Sequence, residues 1–265
     1  MEKTIMERLQ EHYDEALEHF PKDRIVGIFL QGSQNYGLQV PGSDVDTKLI
    51  VVPTFEDIAM NRKAVSTTHV RANDEHIDFK DIRLMFQTFR KQNLNFLEIL
   101  FTDFKIVNPL YADTWERVEM YKEEIAHYNL YLAVKAMKGV ALEKYHAMEH
   151  RYPAKIEIID KMGYDPKQLH HLIRVEDYLE RYINGESYAN CLRPTDPEYL
   201  KAVKMGKYSL EEARVVADKT LAHIDEMCLP FTKESEFNAS NERVDFILDD
   251  AQLAVMKTAI MEELK

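Results

Sequence analysis

Every segment of this chain that reads as a β-strand falls before residue 109. The remainder reads as almost entirely helical. IVGIFLQG (25–32) is a short apolar run bounded by chain breakers, the pattern of a buried strand. DVDTKLIVVP (44–53) is β-branched and predicts a second strand. Residues 65–71 and 75–80 predict a hairpin around Ala72, Asn73 and Asp74. Between the first two strands lies GSQNYGLQVPGSD, polar and broken by three glycines and a proline, hence a loop. Helices are expected at 1–20, with Ile5, Leu9, Tyr13, Leu17 and Phe20 on one face and Pro21 ending it, and at DIRLMFQTFRKQ, with Ile82, Met85, Phe86 and Phe89 on one face. FEDIAMN is a short helix or turn, and NLNFLEILFTDFKIVNP is helix followed by an extended piece. Downstream, helices are expected at 111–125, 127–149, 153–162, 166–184, 209–228 and 241–263. Strands early and helices late predict an α+β chain: a small α/β domain with a mixed sheet over 1–108, then a mostly helical domain over 109–265.

Composition narrows the class. The 265 residues carry a formal charge of −12. That balance disfavours a protein that coats long nucleic-acid duplexes, because phosphate neutralisation drives such binding. It leaves room for one small basic pocket. Cys191 and Cys228 are too few for a disulfide scaffold and lack zinc spacing, so two reduced, buried thiols are expected. The N-terminus reads as an amphipathic helix instead of a targeting leader, and no apolar run reaches membrane-spanning length, so no membrane partner and a cytoplasmic location are expected.

The chemistry concentrates in the strand region. Gly32-Ser33 closes the first strand. A small residue there lets backbone N–H groups approach a phosphate, and the serine hydroxyl adds one hydrogen bond. Asp44 and Asp46 are two residues apart on the expected second strand, so their carboxylates share a side while Val45 faces the other way. At roughly 6 Å and an effective dielectric near 20 their repulsion costs about 3 kcal/mol. Asp78, between Ile77 and Phe79, adds a third carboxylate and brings the cost to roughly 8–9 kcal/mol. A divalent cation reverses that sign, and oxygen donors suit Mg²⁺ or Mn²⁺. Asp74 and Glu75 compete with Asp78 from the turn, and Asp81 looks like a helix N-cap.

A strand ending in Gly-Ser, then Asp-x-Asp, then one aspartate on a later strand resembles the DNA polymerase β nucleotidyltransferase superfamily. LQGSQNYGLQVPGSDVDTKLIVV is similar to the YcgL-type predicted nucleotidyltransferases, which have relatives associated with RNA repair. DFKDIRLMFQTFRKQNLNFLEILF (78–101) and KMGYDPKQLHHLIR (161–174) extend the likeness, which spans about residues 25–190. The resemblance implies that Gly32 and Ser33 hold the triphosphate of a nucleoside triphosphate. It implies that Asp44 and Asp46 bind metal, and that Asp78 binds the second of two Mg²⁺ or Mn²⁺ ions and helps activate an acceptor hydroxyl. The expected reaction transfers a nucleoside monophosphate and releases pyrophosphate. The acceptor is open: an RNA end, a small molecule or a protein hydroxyl. Many relatives carry a basic residue after Gly-Ser; here Gln34-Asn35-Tyr36 follows, with fewer cations on the loop. The alternative is a catalytically silent nucleotide-binding regulatory module, or a partner-binding protein of a paired system.

Other candidates surround this core. Lys48 shares parity with the aspartates and is either a structural ion pair or a phosphate contact. Tyr36 is placed to touch a nucleobase or ribose. Lys167, His171 and Arg174 fall at i, i+4 and i+7 of a helix and form one basic face able to meet a triphosphate, while His170 points elsewhere. Glu98 is polar in an apolar setting and predicts a cap or an ion pair. Tyr111, Trp115 and Val118 form a stripe that predicts core.

Overall fold

The computed structural model describes residues 3–231 and 241–265. Its contacts divide the chain into two units. The first runs through Asn35, resumes at Pro41, continues to Tyr128 and includes the C-terminal helix; the second takes Tyr36–Val40 and the chain from Asn129. By contact the division falls at 128/129, twenty residues after the Asn108-Pro109 pair that marks the expected sequence boundary. The C-terminal helix, expected in the helical domain, belongs with the strands.

The sheet unit begins with α1 (Ile5–Ala16), held at its start by a capping box between Thr4 and Glu7, a motif of about 1 kcal/mol. Residues 1 and 2 of the expected helix lie outside the described residues. Then come β1 (Ile25–Gln31), β2 (Asp46–Val51), α2 (Phe55–Ala59), β3 (Ser66–Val70) and β4 (His76–Asp81). α3 (Ile82–Arg90) starts on Asp81, whose side chain accepts from the Arg83 amide at 2.9 Å, so the expected N-cap is present. α4 (Leu94–Leu97) and β5 (Lys105–Val107) follow. The five strands form one sheet in the order β3-β4-β2-β1-β5. The β2–β4 pair is parallel and the other pairs are antiparallel, so the sheet is mixed as expected.

Alternation along the strands decides which face is greasy. Ile28, Leu49, Val51, Ile77 and Phe79 bury against Leu9, Tyr13 and Ala16 of α1. Fully burying each large side chain contributes about 1.5–3 kcal/mol. The same alternation sends Asp46, Lys48, Asp78 and Lys80 to the other face.

The stripe at Tyr111, Trp115 and Val118 is core, as its spacing predicts. Trp115 and Val118 lie on α5 (Ala112–Met120), with Tyr111 at its N-cap, and a break at Tyr121 separates it from α6 (Lys122–Ala126). The Trp115 ring lies 4.6 Å from that of Phe29 on β1. Arg90 of α3 bonds Asp245 of the C-terminal helix, Glu242–Glu263, at 2.7 Å. These contacts tie residues beyond 109 to the sheet and explain the later boundary.

The helical unit holds α7 (Leu130–Ala147), α8 (Ile156–Met162), α9 (Pro166–Ile183), α10 (Tyr188–Leu192), α11 (Pro197–Lys204) and α12 (Leu210–Cys228). Asp165 caps α9 and Pro166 occupies its first turn, as the Asp-Pro pair predicts. α7, α10, α11 and α12 all pack on α9, so α9 is buried on several sides. The expected range 209–228 matches α12 closely. α10 and α11 have no counterpart in the sequence expectation: each spans few turns, and Gly185, Pro194, Pro197 and Gly206 interrupt the periodicity around them. Cys191 and Cys228 are both buried and unbridged. No helix among the described residues is long and apolar enough to cross a membrane.

Candidate functional site

β1 delivers the chain to Gly32 with φ at +89°. A side chain there would meet nothing within 4 Å, so the demand for glycine is set by the backbone conformation and not by space. The loop is tied down at once. The Asn35 amide donates to the Gly32 carbonyl at 3.0 Å, and the Asn35 side chain donates to the Leu30 carbonyl at 3.0 Å. Thr102 donates to Asn35 Oδ1 at 2.7 Å. The Gly32 N–H, a candidate phosphate donor, donates to Glu98 Oε1 at 3.1 Å. Glu98 is buried; the polar residue in an apolar setting is thus a loop anchor. Ser33 opens the short 3₁₀ turn Ser33–Tyr36 and is half-buried.

Register places the acidic residues. Gln31 pairs with Asp46, and Lys48 pairs with Asp78. Asp46 is the first residue of β2, while Asp44 precedes the strand and is exposed. Strand parity therefore does not govern Asp44. Val45 between them is fully buried and its N–H donates to Glu75 Oε1 at 3.0 Å. Glu75 also pairs with Arg8, bonds Arg71 at 2.8 Å and meets His12 at 3.0 Å. This buried carboxylate, from the hairpin turn, fixes the backbone between the two aspartates. Burial, with Arg71 beside it, pushes the His12 imidazole down to about 4. Asp46 Oδ1 accepts from the His76 amide at 2.9 Å, and the His76 ring lies at 3.2 Å.

Asp78 is the most engaged of the three aspartates. Lys48 Nζ bonds its Oδ2 at 3.1 Å, Gln31 reaches the same oxygen at 3.4 Å, and Thr68 donates to Oδ1 at 2.6 Å. Burial opposes its charge, yet the Lys48 ammonium and the Thr68, Lys48 and Gln31 hydrogen bonds outweigh it and hold the carboxyl below its usual range. Lys48 is only 2% exposed and its ammonium sits 3.9 Å from the centre of the Phe96 ring. Lys80 shares that ring at 4.9 Å; burial, then the nearby Lys48 charge, lowers its pKa.

Among the described residues no three His, Cys, Asp or Glu side chains come close enough together to hold a metal ion. A three-carboxylate set for two ions does not match this placement. Both Asp78 oxygens already have partners, one of them a cation, and Asp44 stands off the strand. Asp44 is exposed and the Asp46 side chain is 33% exposed, and carboxylate oxygens are a donor type that suits one hard divalent cation.

The remaining candidates lie in the helical unit. The Arg174 guanidinium stacks 3.6 Å from the Tyr36 ring and is buried. Burial, with His170 and Arg174 beside it, pushes His171 well below its ordinary value. His170 is buried, bonds the Leu200 carbonyl at 2.8 Å and is pushed down to about 4 by burial. Lys167 is exposed. The i, i+4, i+7 face is thus one free ammonium, one neutral imidazole and one ring-covered guanidinium, not a stripe of solvated cations. A separate cavity of about 330 Å³ in this unit has four acids, Glu176, Asp177, Glu180 and Asp196, among a lining that also includes Ile173, Leu200 and His223.

No protein-family model matches the chain. No curated protein matches it either. Among solved structures it is similar to a nucleotidyltransferase-like protein from Exiguobacterium sibiricum 255-15, with 10% identity, a TM-score of 0.33, and coverage of 98% of this chain and 78% of that one.

Proposed function

We propose that the chain is a nucleotidyltransferase of the DNA polymerase β type, moving a nucleoside monophosphate from a nucleoside triphosphate to an acceptor hydroxyl. One observation carries the reading. Three motif pieces far apart in sequence, Gly32-Ser33, Asp46 and Asp78, meet on adjacent strands through the pairs Gln31–Asp46 and Lys48–Asp78. In the reaction the acceptor hydroxyl gives up its proton to solvent and its oxygen bonds to the α-phosphorus. The bond from that phosphorus to the β-phosphate oxygen breaks, and pyrophosphate leaves with the electron pair.

Asp44 and Asp46 would hold a divalent cation, which when bound screens the triphosphate and the charge on the departing oxygen. Glu75 fixes the backbone between these two aspartates. Asn35, Thr102 and Glu98 hold the loop after β1 in one shape, and Ser33 offers a hydroxyl to the triphosphate. Positioning supplies much of the acceleration in such transfers.

Incubation with α-labelled ATP, GTP, CTP or UTP, with and without tRNA, tests the reading. Label on RNA, on a small molecule or on the protein identifies the acceptor class. Asp46→Asn is expected to lower transfer about a thousandfold, roughly 4 kcal/mol of barrier. Absence of both label transfer and pyrophosphate release with all four nucleotides would sink it.

Two observations favour a second reading, a nucleotide-binding module without transfer. Glu98 takes the Gly32 amide, and Lys48 takes Asp78. Tight calorimetric binding of a triphosphate with no pyrophosphate release would select this alternative.

A further inference from the structure

The ion pair at the centre of the sheet face carries a consequence for ion count. A lysine that is 2% exposed sits in the strand next to Asp78, at the register position opposite it. Its ammonium bonds Asp78 Oδ2 at 3.1 Å and rests 3.9 Å from the face of Phe96. An aromatic face stabilises a cation there and holds it in place. Asp78 Oδ1 is taken by Thr68 at 2.6 Å. The Asp78 side chain is 27% exposed and that of Asp46 33% exposed, so solvent reaches both carboxylates. Only one of them faces a fixed lysine. A divalent ion arriving at Asp78 would meet an ammonium at hydrogen-bond distance, and two cations that close repel by several kcal/mol even at an effective dielectric near 20.

We propose that Lys48 is the built-in cation of this site: its ammonium takes the place of a second divalent ion at Asp78, so the sheet face works with one ion, held by Asp44 and Asp46. This rests on the nucleotidyltransferase reading and deepens it. Asp78 is then a positioning residue that aims Lys48, and is not a metal ligand. Lys48 supplies fixed positive charge beside the triphosphate without having to be recruited from solution.

The test counts ions. The full chain, mixed with one equivalent of a non-hydrolysable α,β-methylene triphosphate, is titrated with Mn²⁺ while free Mn²⁺ is followed by electron paramagnetic resonance. Free analogue in the same buffer serves as the reference. One ion per complex is expected. Asp46→Asn should weaken that ion at least tenfold, and Asp78→Asn should change it less than threefold. Lys48→Ala should raise the count to two. Circular dichroism confirms that each variant is folded; the wild-type count needs no variant. Two ions on the wild-type complex would overturn the inference and leave the transfer reading standing, as would an Asp78→Asn loss equal to that of Asp46→Asn or a Lys48→Ala count that stays at one. Failure of the analogue to bind, with no label transfer, would remove both.

Discussion

Glu75 in the sheet unit and His170 in the helical unit are each 1% exposed, and the two units treat them in opposite ways. Glu75 is surrounded by Arg8, Arg71, His12 and the Val45 amide. Lys48 and Asp78 repeat the theme nearby. His170 has a carbonyl and no carboxylate beside it, and burial holds it neutral. Burial pushes the Tyr178 phenol well above its ordinary value in the same unit. Burying charge costs several kcal/mol per ion and is sustained only by good partners. The sheet unit surrounds its buried Glu75 and Lys48 with opposite charge, while the helical unit holds its buried His170 and Tyr178 neutral and stacks its buried Arg174 on a ring. The candidate chemistry lies in the sheet unit; on α9 of the helical unit Lys167 is exposed, His171 is pushed well below its ordinary value and Arg174 is stacked on Tyr36.

The largest expected effect follows from Glu75. Glu75→Gln leaves Arg8 and Arg71 without their shared carboxylate. Breaking a buried pair of this kind costs about 3–5 kcal/mol. Urea unfolding, read by hydrogen exchange resolved by unit, should show the loss in the sheet unit and little change in the helical one. A loss below 1 kcal/mol would mean the hub is not what holds the strand start.

The Lys48–Asp78 pair gives the next effect. Lys48→Met and Asp78→Asn are each expected to cost about 2–3 kcal/mol, less than Glu75 because Asp78 is partly in water. The double variant should cost less than the sum by 1 kcal/mol or more, since neither leaves the other's charge stranded. Additive losses would break the pairing.

Acid sharpens the contrast from the other side. His12 and His170 are both held at about 4 against an ordinary 6.5. Between those values the unfolded chain binds more protons than the folded one, so stability rises with pH. Each histidine therefore withdraws up to about 3 kcal/mol as pH falls from 6.5 to 4. His12 places part of this loss in the sheet unit, and His170, with His171, places the rest in the helical unit. Unfolding midpoints that stay level across that window would contradict neutral burial.

How much of this was legible depended on whether the signal was local. Strand parity, Pro166 after Asp165 and the Asp81 cap are written in neighbouring residues, and each appears where spacing puts it. The Gly32 turn was equally readable. What anchors it was not: Asn35 and Thr102 meet across 67 positions, and Glu98 reaches back 66 to Gly32. Glu98 did announce itself as a charge among apolar neighbours, without saying what it holds. Glu75 looked like a competitor of Asp78 because both are acids near a turn, and only pairing shows that one faces inward to Val45 and the other outward to Lys48. Asp44 lies two residues before the strand begins, beyond the reach of strand parity. Helices that follow the strands in sequence, α5, α6 and the C-terminal helix, group with the sheet by contact, which local signals do not show.

The smallest effect concerns Tyr36 and Arg174, the one place where an aromatic from the loop after β1 joins the helical unit's packing. A guanidinium 3.6 Å from a ring centre is in full stacking contact. At a covered site the attraction is worth about 1 kcal/mol, up to about 2 when well desolvated. Tyr36→Phe keeps the ring and should leave the helical unit's stability within about 0.5 kcal/mol, which is the ordinary scatter of a benign substitution. Tyr36→Leu removes the ring and should cost that unit about 1 kcal/mol. Arg174→Lys should cost a similar amount, because an ammonium lacks the flat face that stacks. Equal losses for Phe and Leu at position 36 would place the stabilisation in the hydroxyl, and the ring would then have no claim as Arg174's support.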